Sequence, residues 1–414
     1  MARRDYHGAW SLVERAMEQS SLIDEARART DSIVALRRAI HAEPELGLMT
    51  PKTSARVRAA LAHLPLTWRE GPSTSGMVAT LKGEAGEGRS VLLRGDMDGL
   101  PMPEETGLDF ASTVPGTMHA CGHDAHTAML AGAAELLCAR AASLKGEVQF
   151  MFQPGEEGFH GARCMLDDGL LDPLPDAAFA LHIMPNAPHG IVAGRAGALL
   201  AAADMLEITV EGAGGHASMP HQTRDPVPVA CEIVTALQTL VTRQFNAHDP
   251  VVITVASIHA GSTHNVIPDR AAIKGTMRSL SRQHRERLAD AVRLLAVGIA
   301  GAHGLTAEVE IEEGFPVTIC DARAVDFGEA TARDMFGDQA FMRLPDPIMG
   351  AEDFAYVLDK VPGAMFFLGV APQGDNWASC CGIHSTRMML DEAALPQGAA
   401  LLAGLAVRFL EQGF

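Results

Sequence analysis

Nine consecutive positions, Met118-His-Ala-Cys-Gly-His-Asp-Ala-His126, carry a thiol, three imidazoles and a carboxylate. Further along, Gly155-Glu-Glu-Gly158 adds two adjacent carboxylates. Thiol and imidazole suit a borderline-soft divalent metal such as zinc, with manganese, cobalt and nickel also compatible. In an extended segment Cys121 and His123 would project to one side and reach one site. Taken alone, the pair reads equally well as a buried cysteine beside a surface histidine. His119 and His126 around the same thiol weigh against that. Adjacent glutamates diverge, so one of Glu156 and Glu157 can bind metal while the other faces a reacting water. A carboxylate that is not itself a ligand is the better proton carrier. His182 and His384 are isolated by spacing and would ordinarily be structural. The Cys380-Cys381 pair lacks a second such pair to complete a structural zinc centre. No His-Glu-x-x-His occurs, so the helix-borne zinc protease arrangement is absent.

These residues need elements to hold them. Ile33, Leu36, Arg37 and Ile40 have helical spacing and begin the fold after a polar, helix-prone stretch, read as an N-terminal extension over 1–30. Ser90–Arg94 is a short apolar run typical of a buried strand, followed by a turn with Asp96 and Asp98. Residues 124–142, rich in Ala and Leu and free of proline, predict a helix. Val148, Phe150 and Phe152 predict a strand that delivers Glu156 and Glu157, and 177–182 a strand ending in His182. The strand–helix–strand rhythm implies an α/β sheet, whose ligand groups gather at the carboxyl ends of strands. From about residue 200, Leu206, Ile208 and Val210 alternate with Glu207, Thr209 and Glu211. That pattern fits an antiparallel sheet with one wet face. The expected organisation is therefore a larger α/β domain over 31–199 and 312–414, interrupted by a smaller α+β domain over 200–311.

The net charge is 33 − 51 = −18, which argues against nucleic acid or an anionic membrane as partner. Seven scattered cysteines are not a disulfide framework and point to a reducing compartment. The N-terminus shows no apolar signal region, and no apolar run reads as long enough to span a bilayer. The expected location is the cytoplasm.

The ordered motifs resemble the M20 metallopeptidase family, in particular the amidohydrolase branch of hippurate hydrolases, aminoacylases and auxin-conjugate hydrolases. They are Leu36-Arg-Arg-Ala-Ile-His-Ala-Glu-Pro-Glu-Leu-Gly47, Gly95-Asp-Met-Asp-Gly-Leu-Pro101, Met118–His126, Gly155–Gly158, Leu181-His182, Gly214-Gly-His-Ala-Ser218, His264-Asn-Val-Ile-Pro-Asp269, Gly350-Ala-Glu-Asp-Phe-Ala355 and His384-Ser385. They span nearly all of the chain beyond residue 30. The resemblance implies a zinc-peptidase-like catalytic domain with an inserted dimerisation (lid) domain. It also implies two divalent metal ions per chain, zinc or manganese foremost and cobalt or nickel as alternatives. Cys121, His123, Glu157, His182 and His384 would be the ligands, with the Cys121 thiolate bridging. Glu156 would be the general base and then acid, and Asp98 would orient a ligand histidine. His216 would reach a partner subunit's site to stabilise an oxyanion. Asn265 and Arg278 would hold the substrate, Arg278 through its carboxylate. Where the family usually has proline after His-Ser, this chain has Thr386.

The activity expected from this is hydrolysis of N-acyl amino acids by a homodimer. A dipeptidase or carboxypeptidase, or an N-acetyl-diamino-acid deacetylase, is the alternative within the family. Cys121 as a thiol nucleophile with His123 as its base would leave the remaining ligand-type residues without a purpose. A binding protein without catalysis would not need Glu156.

Overall fold

The computed structural model describes residues 22–248, 250–374 and 376–414. The chain forms two compact units. One comprises residues up to Gly197, Ile319–Pro345 and Tyr356–Phe414; the other comprises Ala198–Thr318 and Asp346–Ala355.

In chain order, the first unit contributes helix α1 (Thr30–His41), strands β1 (Thr67–Glu70), β2 (Met77–Lys82) and β3 (Ser90–Asp96), and helix α2 (His123–Cys138). Strands β4 (Glu147–Gln153), β5 (Ala177–Met184) and β6 (Val192–Gly194) follow. The second unit then supplies β7 (Ala202–Glu211), β8 (Gly215–His216), α3 (Pro226–Gln244), β9 (Val252–Ala260), β10 (Val266–Ile267), β11 (Arg270–Ser279), α4 (Arg282–Ala302) and β12 (Thr306–Glu313). The chain returns as β13 (Phe341–Arg343), β14 (Gly363–Gly369) and α5 (Leu395–Gln412).

The first unit is built on an eight-stranded mixed sheet in the order β1-β2-β4-β3-β5-β14-β6-β13. Its centre is parallel: β3 pairs with β4 and β5, and β5 with β14, all in the same direction. These strands are buried along nearly their whole length. That is why Val91-Leu-Leu and Ala364-Met-Phe-Phe-Leu read as continuous apolar runs rather than alternating ones. Helix α2 is buried on almost every side, and its Ala- and Gly-rich composition lets it pack close. Gly95 of β3 shows how close: a Cβ there would lie 2.9 Å from the His126 carbonyl oxygen.

In the second unit β9-β11-β7-β12 form an antiparallel sheet. Leu206, Ile208 and Val210 turn inward against Val229, Ile233 and Leu237 of α3 and Leu288 and Val292 of α4. The alternation read from the sequence is this buried face.

The boundaries depart from the expected ones at the N-terminus and around the second unit. Residues 22–30, assigned to the extension, pack with the first unit: Leu22 and Ala26 are buried, and Glu25 pairs with Arg140 at 2.7 Å. The rest of that extension lies outside the described residues. The second unit runs on to Thr318 and takes back Asp346–Ala355. There the Ala201 N–H donates to the carbonyls of Ile348 (3.2 Å) and Gly350 (2.8 Å). No periodicity marks that segment in the sequence. The apolar stretch 392–412 is long and apolar enough to cross a membrane, contrary to the sequence reading, but it is 83% buried inside the fold. Its apolar character is that of a core helix.

Candidate metal centre

Three parallel strands bring the first unit's candidate residues together. Asp96 ends β3, with Asp98 just beyond it. Glu156 and Glu157 follow β4, and His182 lies near the end of β5. All sit at the carboxyl end of the sheet, as expected for this class of fold.

Cys121 and His123 share the site for a reason other than an extended backbone. Gly122 between them takes a left-handed conformation (φ 87°) and starts α2, so His123 is the first residue of the helix. A Cβ at Gly122 would meet the Ile183 side chain at 2.5 Å, so both backbone and space require glycine. His384 is placed by a second left-handed residue, itself (φ 62°), with its N–H donating to the Ala120 carbonyl at 2.8 Å. The Thr386 hydroxyl donates to Glu105 Oε2 (3.0 Å) and the Glu105 N–H to the Thr386 carbonyl (2.7 Å). Threonine thus ties down the His384 loop where the family usually has proline.

Several donor groups close enough for a cation occur among the described residues, one of them His123, Glu156 and Glu157; two of the groups share one sulfur. Cys121, His123 and His182 form the first; Cys121, Glu157 and His384 form the second. The Cys121 Sγ lies 3.4 Å from His182 Nε2, and Glu157 Oε1 lies 3.3 Å from His384 Nε2. His182 Nδ1 donates to the Ile183 carbonyl at 2.6 Å, which leaves the Nε2 lone pair for a ligand. Burial, then the neighbouring His126, holds His182 well below its ordinary pKa, so the ring is neutral.

The residues fit a metal pair. Both ring nitrogens of His123 and Oε1 of Glu157 are buried without a hydrogen-bond partner among the described residues. Burial pushes the Cys121 thiol up, against the thiolate form that a ligand requires. A cation in the site reverses that balance.

Asp98 binds with both oxygens. Oδ1 accepts from the Glu156 N–H and Oδ2 from the Glu157 N–H, each at 3.0 Å, while Oδ1 lies 3.4 Å from His123 Nδ1. It therefore orders the glutamate loop as well as facing a histidine.

Asp96 and His126, to which the sequence assigns no role, pair with each other beside the site. Asp96 Oδ1 accepts from His126 Nδ1 at 2.6 Å, and His126 Nε2 accepts from the Ile183 N–H at 2.9 Å. His126 is thus spent on structure. Burial pushes Asp96 up, but Arg94, His123 and His126 outweigh it and hold the carboxyl well below the usual range. His119 is buried and both its nitrogens lack hydrogen-bond partners among the described residues; burial takes it down to about 3.

Beside the site, α1 supplies Arg37 and His41. His41 Nδ1 lies 2.8 Å from Asp124 Oδ2 and Nε2 lies 3.1 Å from Glu104 Oε1; Arg37 Nε lies 2.7 Å from the same Asp124 oxygen. Burial pushes His41 down, yet the charge and hydrogen bond of Asp124 and the bond to Glu104 raise it to about 9. A raised histidine stabilises the fold fully below its unfolded value, about 6.5, and the contribution is lost as pH rises through the folded value. We expect the stability margin of the native chain over His41→Asn to shrink by roughly 3 kcal/mol between about pH 6 and pH 9.5. Denaturant titrations across that range measure it, and a margin constant with pH would refute a charged His41.

In the second unit, His216 on β8 pairs with Val266 on β10. The Ala217 N–H donates to the Asn265 carbonyl at 3.1 Å, so His216 and Asn265 lie close together. His216 is exposed, and its Nδ1 accepts from the Ser218 N–H at 3.2 Å, which leaves Nε2 as the N–H donor. Arg278, on β11 opposite Val252 and Ala203, is half-buried, and burial lowers its pKa.

A model of Peptidase family M20/M25/M40 matches residues 92–408, and the chain belongs to that family. It is a metal-binding hydrolase of the family. The chain is 37% identical to Thermostable carboxypeptidase 1 of Saccharolobus solfataricus over 94% of its own length and 98% of the relative's. It is 36% identical to IAA-amino acid hydrolase ILR1-like 2 of Arabidopsis thaliana, covering 97% and 91%. Among solved structures it resembles the Bacillus subtilis YXEP protein, a dinuclear metal binding peptidase of the M20 family. That match has a TM-score of 0.80 and 32% identity over 93% of this chain and 99% of that one.

Proposed function

We propose that the protein hydrolyses the amide bond of N-acyl amino acids, releasing a carboxylic acid and a free amino acid. The observation that carries this is the pair of donor groups sharing Cys121, with Glu156 beside them. Cys121, His123 and His182 would hold one cation, and Cys121, Glu157 and His384 the other. Such a pair, when bound, acidifies water and polarises a carbonyl oxygen. Glu156 accepts the proton as water adds its oxygen to the carbonyl carbon. It then delivers that proton to the amide nitrogen, and the C–N bond breaks. Asp98 holds Glu156 and Glu157 in place through their backbone N–H groups.

In this reading His216, through its Nε2–H, steadies the oxyanion in the site of a second copy. Asn265 and Arg278 hold the substrate, Arg278 through its carboxylate. The edge strand β9, with Val252 and Ile258 exposed, supports association through the second unit. The cysteines are all free, in keeping with a cytoplasmic location. The activity named for the plant relative favours an acyl amino acid, and that named for the archaeal relative keeps a carboxypeptidase as the second reading.

The test is a panel of N-acyl amino acids and dipeptides. Protein is stripped by chelator and reloaded with Zn²⁺, Mn²⁺, Co²⁺ or Ni²⁺, and amine release is followed. We expect metal-restored turnover of N-acyl amino acids. Turnover confined to dipeptides would overturn the proposal in favour of the second reading.

A further inference from the structure

The cluster of Arg37, His41, Glu104 and Asp124 takes no part in the chemistry proposed above, yet it touches the helix that carries His123. Arg37, His41 and Asp124 have side chains at most 2% exposed. Glu104 accepts from the Ser112 N–H at 2.7 Å and from the Thr106 hydroxyl. Arg37 continues to Glu392 at 3.1 Å, which Arg38 also binds. Buried ion networks of this kind rarely stabilise a fold more than apolar packing of the same volume would. Their distinguishing property is directional geometry.

What needs fixing is the first turn of α2. Its cap is Gly122, which has no side chain to bond the exposed N–H groups. That turn holds His123 and His126, so a small shift of it moves a donor atom. Two anchors hold it. On one side Asp96 binds His126 Nδ1, the Ile183 N–H donates to His126 Nε2, and the Asp96 carbonyl accepts from the Thr127 hydroxyl at 2.6 Å. On the other, α1 reaches Asp124, the residue after His123, through Arg37 and His41 on successive turns (i, i+4).

We propose that Arg37 and His41 are positioning residues that, through Asp124, fix the first turn of α2 and so aim His123 at the ligand group it shares with Cys121. This rests on the reading of His123 and Cys121 as metal ligands. The decisive bond is His41 Nδ1 to Asp124, not Nε2 to Glu104.

Two amide substitutions separate these bonds. His41→Asn keeps a donor near Nδ1 and drops the one to Glu104; His41→Gln does the reverse. Each protein is loaded with Co²⁺. Affinity is read by competition with a chelator, ligand geometry by the thiolate-to-cobalt charge-transfer absorption, and folding by the thermal midpoint. We expect His41→Asn to stay within about 3-fold of the native affinity with an unchanged absorption. His41→Gln should bind about 10- to 100-fold more weakly, with the absorption altered. Native affinity in His41→Gln would overturn the inference. So would equal losses in both variants that track their thermal midpoints, since that is a structural role only. If His41→Gln does not fold, Arg37→Gln removes the positive charge paired with the same Asp124 oxygen. It should weaken Co²⁺ about 10-fold, and native affinity there would overturn the inference. Failure of the native chain to bind two Co²⁺ with a thiolate band would instead bring down the ligand assignment beneath it.

Discussion

Replacing Glu156 with Gln is expected to lower kcat by about 10²- to 10⁴-fold, with two metals per chain retained and KM little changed. The geometry lets the proton-carrying role proposed for Glu156 be tested alone. Asp98 clamps the loop through the peptide N–H groups of Glu156 and Glu157, so the backbone there does not depend on the Glu156 carboxylate. Glutamine matches the side chain in size and removes only the basic oxygen. Glu156 is 6% exposed, and its Oε2 lies 3.9 Å from His123 Nε2. Burial pushes Glu157 up, but the neighbouring His384 and His123 hold its carboxyl below the usual range. Steady-state kinetics with metal analysis of the same preparation gives the answer. Near-native turnover would remove Glu156 from the mechanism. Loss of a metal along with turnover would make it a ligand.

The sequence displayed the local chemistry better than its placement. Residues 118–126 and the Glu156-Glu157 pair stand out because chemically rich side chains are adjacent there. The buried strands and α2 were legible from apolar runs, and the second unit's sheet from the alternation at 206–211. His182 and His384 lacked any local signal, since each reaches the site by a parallel pairing or a left-handed turn, which only the fold creates. Cys121 and His123 were paired correctly but for the wrong backbone reason, because one glycine turning left gives the same result as an extended strand. Asp96 looked like a companion of Asp98 in a turn, and only the close approach of α2 to Gly95 reveals that it serves His126. The network at Arg37 and His41 was invisible, because its partners Glu104 and Asp124 are distant in the chain.

Cys121→Ser is expected to be the most damaging single substitution, and more damaging than His384→Ala. Cys121 is the one residue common to both proposed ligand groups, whereas His384 belongs to one. Removing His384 leaves Cys121, His123 and His182 as a complete group, and His384 is exposed while those three are buried. Its loss should weaken one metal by about 100-fold, at or above the upper end of what outer partners of a ligand contribute, and leave about one metal per chain. Serine at 121 keeps the size of the side chain but replaces a soft donor with a hydroxyl that ionises far less readily. Both groups lose their shared atom, so both metals should weaken and turnover should fall below detection. The fold should persist, because Cys121 is a small buried side chain with its neighbours intact. Metal content by elemental analysis, on protein shown to be folded by circular dichroism, separates the two patterns. If Cys121→Ser retained one tightly bound metal, the sulfur would serve only one group, and the second would need another ligand.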